Sequence, residues 1–270
     1  MKKNVLFFSP TFYDLPLNEN IKKKYDNLSE VANITVLAFS SQKKIHTESE
    51  TTFYLNKKNK SRIFNYLKIF FVSYFQMSKL ISQHEIEIVT FQDPVTSLLG
   101  VYKIKKKHKD VKIVIESHGD FINTLELEKN LTFPNLYKNL FSKMASYTIN
   151  CADMLRAVSS STEKQALSFD PSKRVVRFPA WIDFEIFSNV EPQRDNKGKF
   201  KILFIGSVTD RKKPHMIIDA LPELINDEVE LNIVGPTPNQ NYLESLQGKI
   251  KSQNVEDKVF IHGNKNRDEV

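Results

Sequence analysis

Two clusters in this 270-residue chain have residue types and spacing that suit chemistry. In one, an apolar run from Ile202 to Ile205 breaks at Gly206, and Ser207 opens a polar loop carrying Arg211, Lys212 and Lys213 ahead of Pro214. A buried strand, a loop without a bulky side chain and the start of a helix gather backbone N–H groups and cations around one spot, as phosphate sites do. The same residues also read as an ordinary strand–loop–helix corner with a solvated Arg-Lys-Lys, because one glycine is a weak fingerprint. In the other cluster, His118, Gly119 and Asp120 follow an apolar run from Val111 to Glu116. Gly119 allows close backbone approach and Asp120 is placed to orient the imidazole; the plainer reading is a turn histidine capping a strand end. The other histidines share no ligand spacing, Cys151 is the sole cysteine and no Asp-X-Asp triplet occurs. No metal, cofactor or disulfide framework is therefore expected.

The elements that must position these residues alternate. Apolar runs at 5–8, 34–39, 87–91, 111–116, 154–159 and 175–178 read as strands, and helical spacing falls between most of them. The pattern Ile21, Tyr25, Leu28 and Val31 marks the first helix, 61–83 the longest, and 94–107 and 136–150 two more. Residues 40–60 read as irregular with a β-prone piece at 53–55, and Ser160 with Glu163 as a capping box. Phe187 to Lys199 lacks periodicity and reads as a linker. After it come strands at 201–205, 230–234 and 258–262, a helix from Pro214 that Pro222 should kink or end, and a helix at 242–253. Gly119, Gly206, Gly235 and Gly263 fall at carboxyl ends of these strands, where open α/β sheets bind ligands. The expected fold class is therefore α/β: two Rossmann-like parallel-sheet domains, 1–186 and 200–270, joined by the linker 187–199, with the second incomplete at three strands.

A net charge of +7 favours acidic partners. Met1-Lys2-Lys3 leads into a run too short for a signal peptide or a membrane span, so a cytoplasmic protein is expected. The helix at 61–83 is apolar round much of its circumference and is expected in the core; resting on an anionic bilayer at the inner face of the membrane is the second reading. Nucleic-acid binding has only charge in its favour. A dinucleotide oxidoreductase is disfavoured because Ser9 to Asp14 has no glycine.

Taken in order, Gln92-Asp93-Pro94, Glu116 to Asp120, Ala152 to Ser159, Pro179 to Asp183 with Phe187, Phe204 to Lys213 and Leu231 to Gly235 resemble a GT-B retaining glycosyltransferase of family 4, of the kind that builds bacterial surface polysaccharides. The resemblance implies an acceptor-side first domain and a donor-binding second one. It implies His118 at the reaction centre facing the transferred sugar, with Gly119 and Asp120, and Lys212 gripping the diphosphate of a nucleotide sugar beside Gly206 and Ser207. Where the family often carries an arginine after the glycine this chain has Ser207, so Arg211 is expected to substitute. Asp93, Asp153 and Asp183 are expected to be structural. The acceptor implied is a glycan or a lipid-linked sugar. The family's paired-glutamate motif would follow residue 270, so the chain as it stands is expected to be impaired as an enzyme. The alternative is a non-catalytic sugar-nucleotide or lipid-head-group module completed by a separate chain.

Overall fold

Strand β1 (Lys3–Phe12) sits at the centre of the first unit because apolar residues face both ways along it. The computed structural model describes residues 2–59, 61–122, 133–182, 184, 188, 200–224 and 228–265. The chain divides into Met1–Phe187 and Ser188–Val270; apart from Ser188, residues 187–199 lie outside the described ones, as does Asp183.

In the first unit β2 (Ala32–Ser40), β3 (Lys44–Glu48), β4 (Thr51–Lys57), β5 (Ile88–Phe91), β6 (Lys112–Ser117), β7 (Met154–Ala157) and β8 (Val175–Arg177) join β1 in one sheet, ordered β3-β4-β2-β1-β5-β6-β7-β8. All pairs are parallel except β3 with β4. Helices α1 (Glu19–Ser29), α2 (Arg62–Gln83), α3 (Leu98–Lys107), α4 (Pro134–Cys151) and α5 (Ser160–Phe169) alternate with the strands. Side chains of β1 point alternately to two cores. Leu6 and Phe8 join residues of α2, α3 and α4, whereas Val5 and Phe7 join Tyr25 and Leu28 of α1. Strand order reverses direction between β1 and β5, so the carboxyl ends of β1, β5 and β6 border the crevice where such sheets take ligands.

Three expectations need correction here. Residues 44–57 form a hairpin, not an irregular stretch: Glu48 pairs with Thr51 across Ser49 and Glu50, with Ser49 left-handed at φ 52°. That turn has no glycine or asparagine to announce it. The N-cap of α5 is Ser159 rather than Ser160. Its hydroxyl accepts from Thr162 N–H, and Thr162 Oγ1 accepts from Ser159 N–H, closing the box one residue earlier. Val31 closes the helical pattern of α1 in sequence but lies past the helix end, 71% exposed.

The second unit contains β9 (Phe200–Ile205), α6 (Pro214–Ala220), β10 (Val229–Val234), α7 (Gln240–Ser252) and β11 (Val259–Gly263), its parallel strands ordered β11-β10-β9. Its core joins Leu231 and Ile233 to Val208, Ile218, Leu221 and Leu246. Pro222 lies in a 3-10 turn, Leu221–Leu224, directly after α6: with no N–H to give, it ends the α-helix. β9 is half buried rather than buried. Ile202 and Phe204 pack on the core, whereas Leu203 and Ile205, on the opposite pleat of an edge strand, are 51% and 62% exposed.

Candidate functional site

The carboxyl ends of β5 and β6 open into a pocket of about 280 Å³, lined on the strand side by Gln92, Asp93, Ser117 and His118 and on the helix side by Tyr66, Phe70 and Phe141. Gly119 and Asp120 also line it. Side chains two apart on a strand share a face, and Glu116, the penultimate residue of β6, carries His118 in this way. Imidazole Nε2 lies 2.6 Å from Glu116 Oε2. A carboxylate only accepts, so Nε2 is the donor in this pair. The orienting carboxylate is thus Glu116, where Asp120 was expected. Asp120 Oδ1 accepts instead from Ile122 N–H at 3.1 Å and from Gln165 Nε2 at 2.6 Å.

Glu116 is buried and is paired in register with Arg156 of β7. Arg156 Nη1 donates to the same Oε2 at 2.9 Å, while its Nη2 donates to the Pro179 carbonyl at 2.9 Å. The guanidinium also stands 4.1 Å from the Phe178 ring centroid. Burial acts to raise the Glu116 carboxyl, but the His118 hydrogen bond and the positive charges of Arg156, His118 and Lys24 outweigh it and hold the group below its ordinary value. Asp93 is shifted the other way. Burial raises it against the hydrogen bonds from Thr96 and Val95 N–H at 2.6 and 2.7 Å, which make it the cap of the turn before α3. Glu116 and Asp93 are thus shifted in opposite directions, each by its own surroundings.

Gly119 is required neither by packing nor by backbone: its φ is not positive and an added Cβ would have no atom within 4 Å. Asp153, expected to be structural, ties β7 to β6 by accepting from Ile113 N–H at 2.9 Å and pairing with Lys112 at 3.1 Å.

In the second unit the strand ends are backbone only. Gly206 N–H donates to the Val234 carbonyl at 2.9 Å and Gly235 N–H to the Gly263 carbonyl at 2.8 Å. Gly206 has φ +152° and Gly235 φ +145°, and a Cβ on Gly235 would lie 2.0 Å from the Gly206 oxygen. Ser207 follows, half buried, and the loop then turns through a 3-10 turn, Asp210–Lys212. Arg211, Lys212 and Lys213 are exposed, and Lys213 adopts φ 51° where the chain enters α6. Gly206, Ser207, Arg211 and Lys212 therefore share one loop beyond β9. Among the described residues no cluster of three or more His, Cys, Asp or Glu is arranged to hold a metal ion.

Glu116 and Arg156 lie in stretches that carry the family resemblance, but the sequence reading gave neither a role at the site. The available signal was a lone charge inside each of two apolar strand patterns, Ile113 to Ser117 and Met154 to Ala157. Their being neighbours depends on register, which neither pattern states.

Residues 32–186 match the family model described as Glycosyltransferase Family 4, and residues 186–270 match that described as Glycosyl transferases group 1. Comparison with curated proteins returned no match. Among solved structures, sucrose-phosphate synthase from Thermosynechococcus elongatus superposes at a TM-score of 0.69 and 11% identity, over 98% of this chain and 71% of that one. The lipopolysaccharide outer core galactosyltransferase WaaB, in its apo form, gives 0.58 and 18%, over 97% and 68%. HepE of Anabaena, in complex with UDP and glucose, gives 0.63 and 13%, over 98% and 70%. At these identities the superpositions speak for the GT-B fold, and the two family models together cover the segment that carries His118 and the loop that carries Lys212. The chain belongs to glycosyltransferase family 4.

Proposed function

We propose that the protein transfers a sugar, with retention at the anomeric carbon, from a nucleotide diphosphate sugar to a glycan or lipid-linked acceptor in cell-surface polysaccharide synthesis. In this reading Gly206 and Ser207 leave room for the donor diphosphate, and Arg211 and Lys212 balance the negative charge that grows on it as the glycosidic bond breaks. No metal or cofactor is called for, because two cations already serve the leaving group. His118, with Gly119 and Asp120 beside it, acts at the transferred sugar, and its geometry is set by Glu116. Asp93 belongs to the frame that shapes the pocket.

The observation that carries the reading is an imidazole fixed by a buried carboxylate in a pocket at the sheet's ligand-binding edge, within a family 4 chain. The HepE neighbour, captured with UDP and glucose, supports a nucleotide sugar as donor class, and the WaaB neighbour supports a surface-glycan acceptor.

A thermal-shift panel of UDP, GDP and their sugars tests the donor half. One family of nucleotides should raise the melting temperature of the native chain. Lys212→Ala should abolish that rise, whereas Lys251→Ala, on α7, should leave it intact. Equal shifts in both variants would remove the diphosphate from the Gly206 loop.

A further inference from the structure

Helix α2 has two faces. Ile69, Val72, Met77 and Leu80 pack in the first unit's core with Leu6 and Phe8 of β1 and Leu37 and Phe39 of β2, whereas Phe71, Phe75 and Lys79 are exposed. The β3–β4 hairpin continues the sheet beyond β2 and ends it at β3, so it stands as a shelf beside the helix. Between the two lies a hollow of about 600 Å³ that shares no lining residue with the His118 pocket. Lys43, Lys44 and Lys79 line it and no carboxylate does; among the described residues none of these lysines is paired with an acid. The floor is polar. Asn56 of β4 is buried, and its amide and that of Gln76 on α2 donate to each other at 2.9 and 2.8 Å. A primary amide has two N–H donors and two lone pairs, so this exchange leaves each side chain one N–H and one lone pair to offer. Cations on an edge strand deter pairing with another sheet, but that task needs neither a hollow nor a buried amide floor.

We propose that this hollow binds an acidic carbohydrate. Its carboxylate or phosphate groups meet Lys43, Lys44 and Lys79, and its hydroxyls meet the Asn56–Gln76 amide pair. Shape and chemistry choose this ligand. The volume falls within the ~300–1,000 Å³ of small-molecule sites, which combine concavity with a few placed polar groups. A bilayer takes up protruding apolar surface, whereas this site is concave with amides at its base. Nucleic acid needs open aromatic faces for its bases. The one ring lining the hollow, Tyr54, is half-buried, with its hydroxyl bound to His84 Nε2 at 2.7 Å. The inference rests on the glycosyltransferase reading in one respect: α2 lines both cavities, with Tyr66 and Phe70 in the His118 pocket and Gln76, Lys79 and Gln83 in this one. At 1.5 Å per residue these two sets stand roughly 9–25 Å apart along the helix. The carbohydrate held here is then the acceptor glycan itself, gripped a few sugar units behind the end that is extended, and that glycan carries acidic groups.

Calorimetric titration of the full chain with hexagalacturonate tests it, beside maltohexaose, inorganic phosphate and phosphatidylglycerol vesicles. Hexagalacturonate is expected to bind, and maltohexaose to bind at least about tenfold more weakly for want of charge-assisted hydrogen bonds. Lys44→Glu with Lys79→Glu should abolish binding of the acidic oligosaccharide, whereas Lys251→Glu, on α7, should leave it unchanged. Circular dichroism and melting monitor folding, and Lys44→Gln with Lys79→Gln serves if the glutamates perturb the chain. Absence of hexagalacturonate binding, binding that survives the lysine substitutions, or equal binding of maltohexaose overturns the proposal. An equal loss in Lys251→Glu does so too, because it would mean attraction to diffuse charge. Inorganic phosphate bound as tightly as the oligosaccharide would make the hollow a plain anion site and overturn it. So would vesicle binding that the lysine substitutions remove while hexagalacturonate is ignored. The nucleotide thermal shift is read in parallel. A shift without oligosaccharide binding overturns this site alone; oligosaccharide binding without a shift leaves the hollow standing and removes the donor reading.

Discussion

Glu116 Oε2 accepts from both His118 and Arg156, so a single oxygen joins the pocket to the buried interior. Glu116→Gln keeps the shape and loses the charge, leaving Arg156 buried without its counter-ion. Breaking a buried pair from one side costs ~3–5 kcal/mol, whereas replacing both partners by groups of similar volume costs far less. Urea unfolding at neutral pH should show such a loss for Glu116→Gln and partial recovery in Glu116→Gln/Arg156→Met. A Glu116→Gln variant as stable as the native chain would mean that the pair holds nothing. Asp93→Asn should behave in the opposite sense. Its carboxyl is raised by burial, so ionisation costs the fold, and asparagine can still cap Val95 and Thr96. At pH ~7 that variant should unfold at equal or higher urea than the native chain. The imidazole at 118 was legible as a site candidate because it follows a strand pattern. Its partner was not, because Glu116 and Asp120 lie equally far from it in sequence, two residues to either side, and only the folded backbone puts Glu116 against the ring.

At the scale of elements, the glycines differ in what they do. Gly235 holds a positive φ with the Gly206 carbonyl where its Cβ would be. Gly235→Ala must shift the end of β10 away from β9 and should cost at least ~2 kcal/mol, read as a lower melting temperature. Gly248, inside α7, has open space around it and a helical backbone. Gly248→Ala should therefore stabilise by ~0.5–1 kcal/mol. If both variants melt alike, the strand ends are not packed as described. Both sites follow a simple rule in the chain, glycine after an apolar run or glycine within a helical pattern, yet only the distance to Gly206 separates them. The β3–β4 hairpin and the two-faced character of α2 were illegible for a related reason: turn residues without glycine and an all-round apolar helix leave pairing and orientation open. α2 was expected in the core, and half of it is there.

Over the whole molecule, several carboxyls sit below their ordinary values. Glu87 is held by Lys3, Asp170 by Ser172 and Asp219 by Lys249, each through a hydrogen bond. For Asp153 and Glu116 burial opposes the shift and is outweighed, at Asp153 by the Ile113 N–H and Lys112, at Glu116 by His118 and Arg156. A depressed folded value means that the unfolded chain binds more protons between the two values. The stability these groups contribute is thus complete above pH ~4.5 and is lost as pH falls through their folded values. Asp93 works against this trend. Urea midpoints should rise from pH ~3 to ~5 and then level, and a flat or falling profile over that window would contradict the sign. By itself the sequence determined the alternation of strands and helices, the glycines at strand ends, the loop of cations after Gly206 and the family, because hydrophobic period, backbone freedom and motif order are local properties of a chain. Tertiary structure alone decided which charge stands beside His118, which face of α2 meets solvent and which glycine is indispensable. The last two are contacts between segments distant along the chain, fixed by strand register and helix packing; the first is a choice between two carboxylates equally near in sequence, made by the backbone geometry at the end of β6.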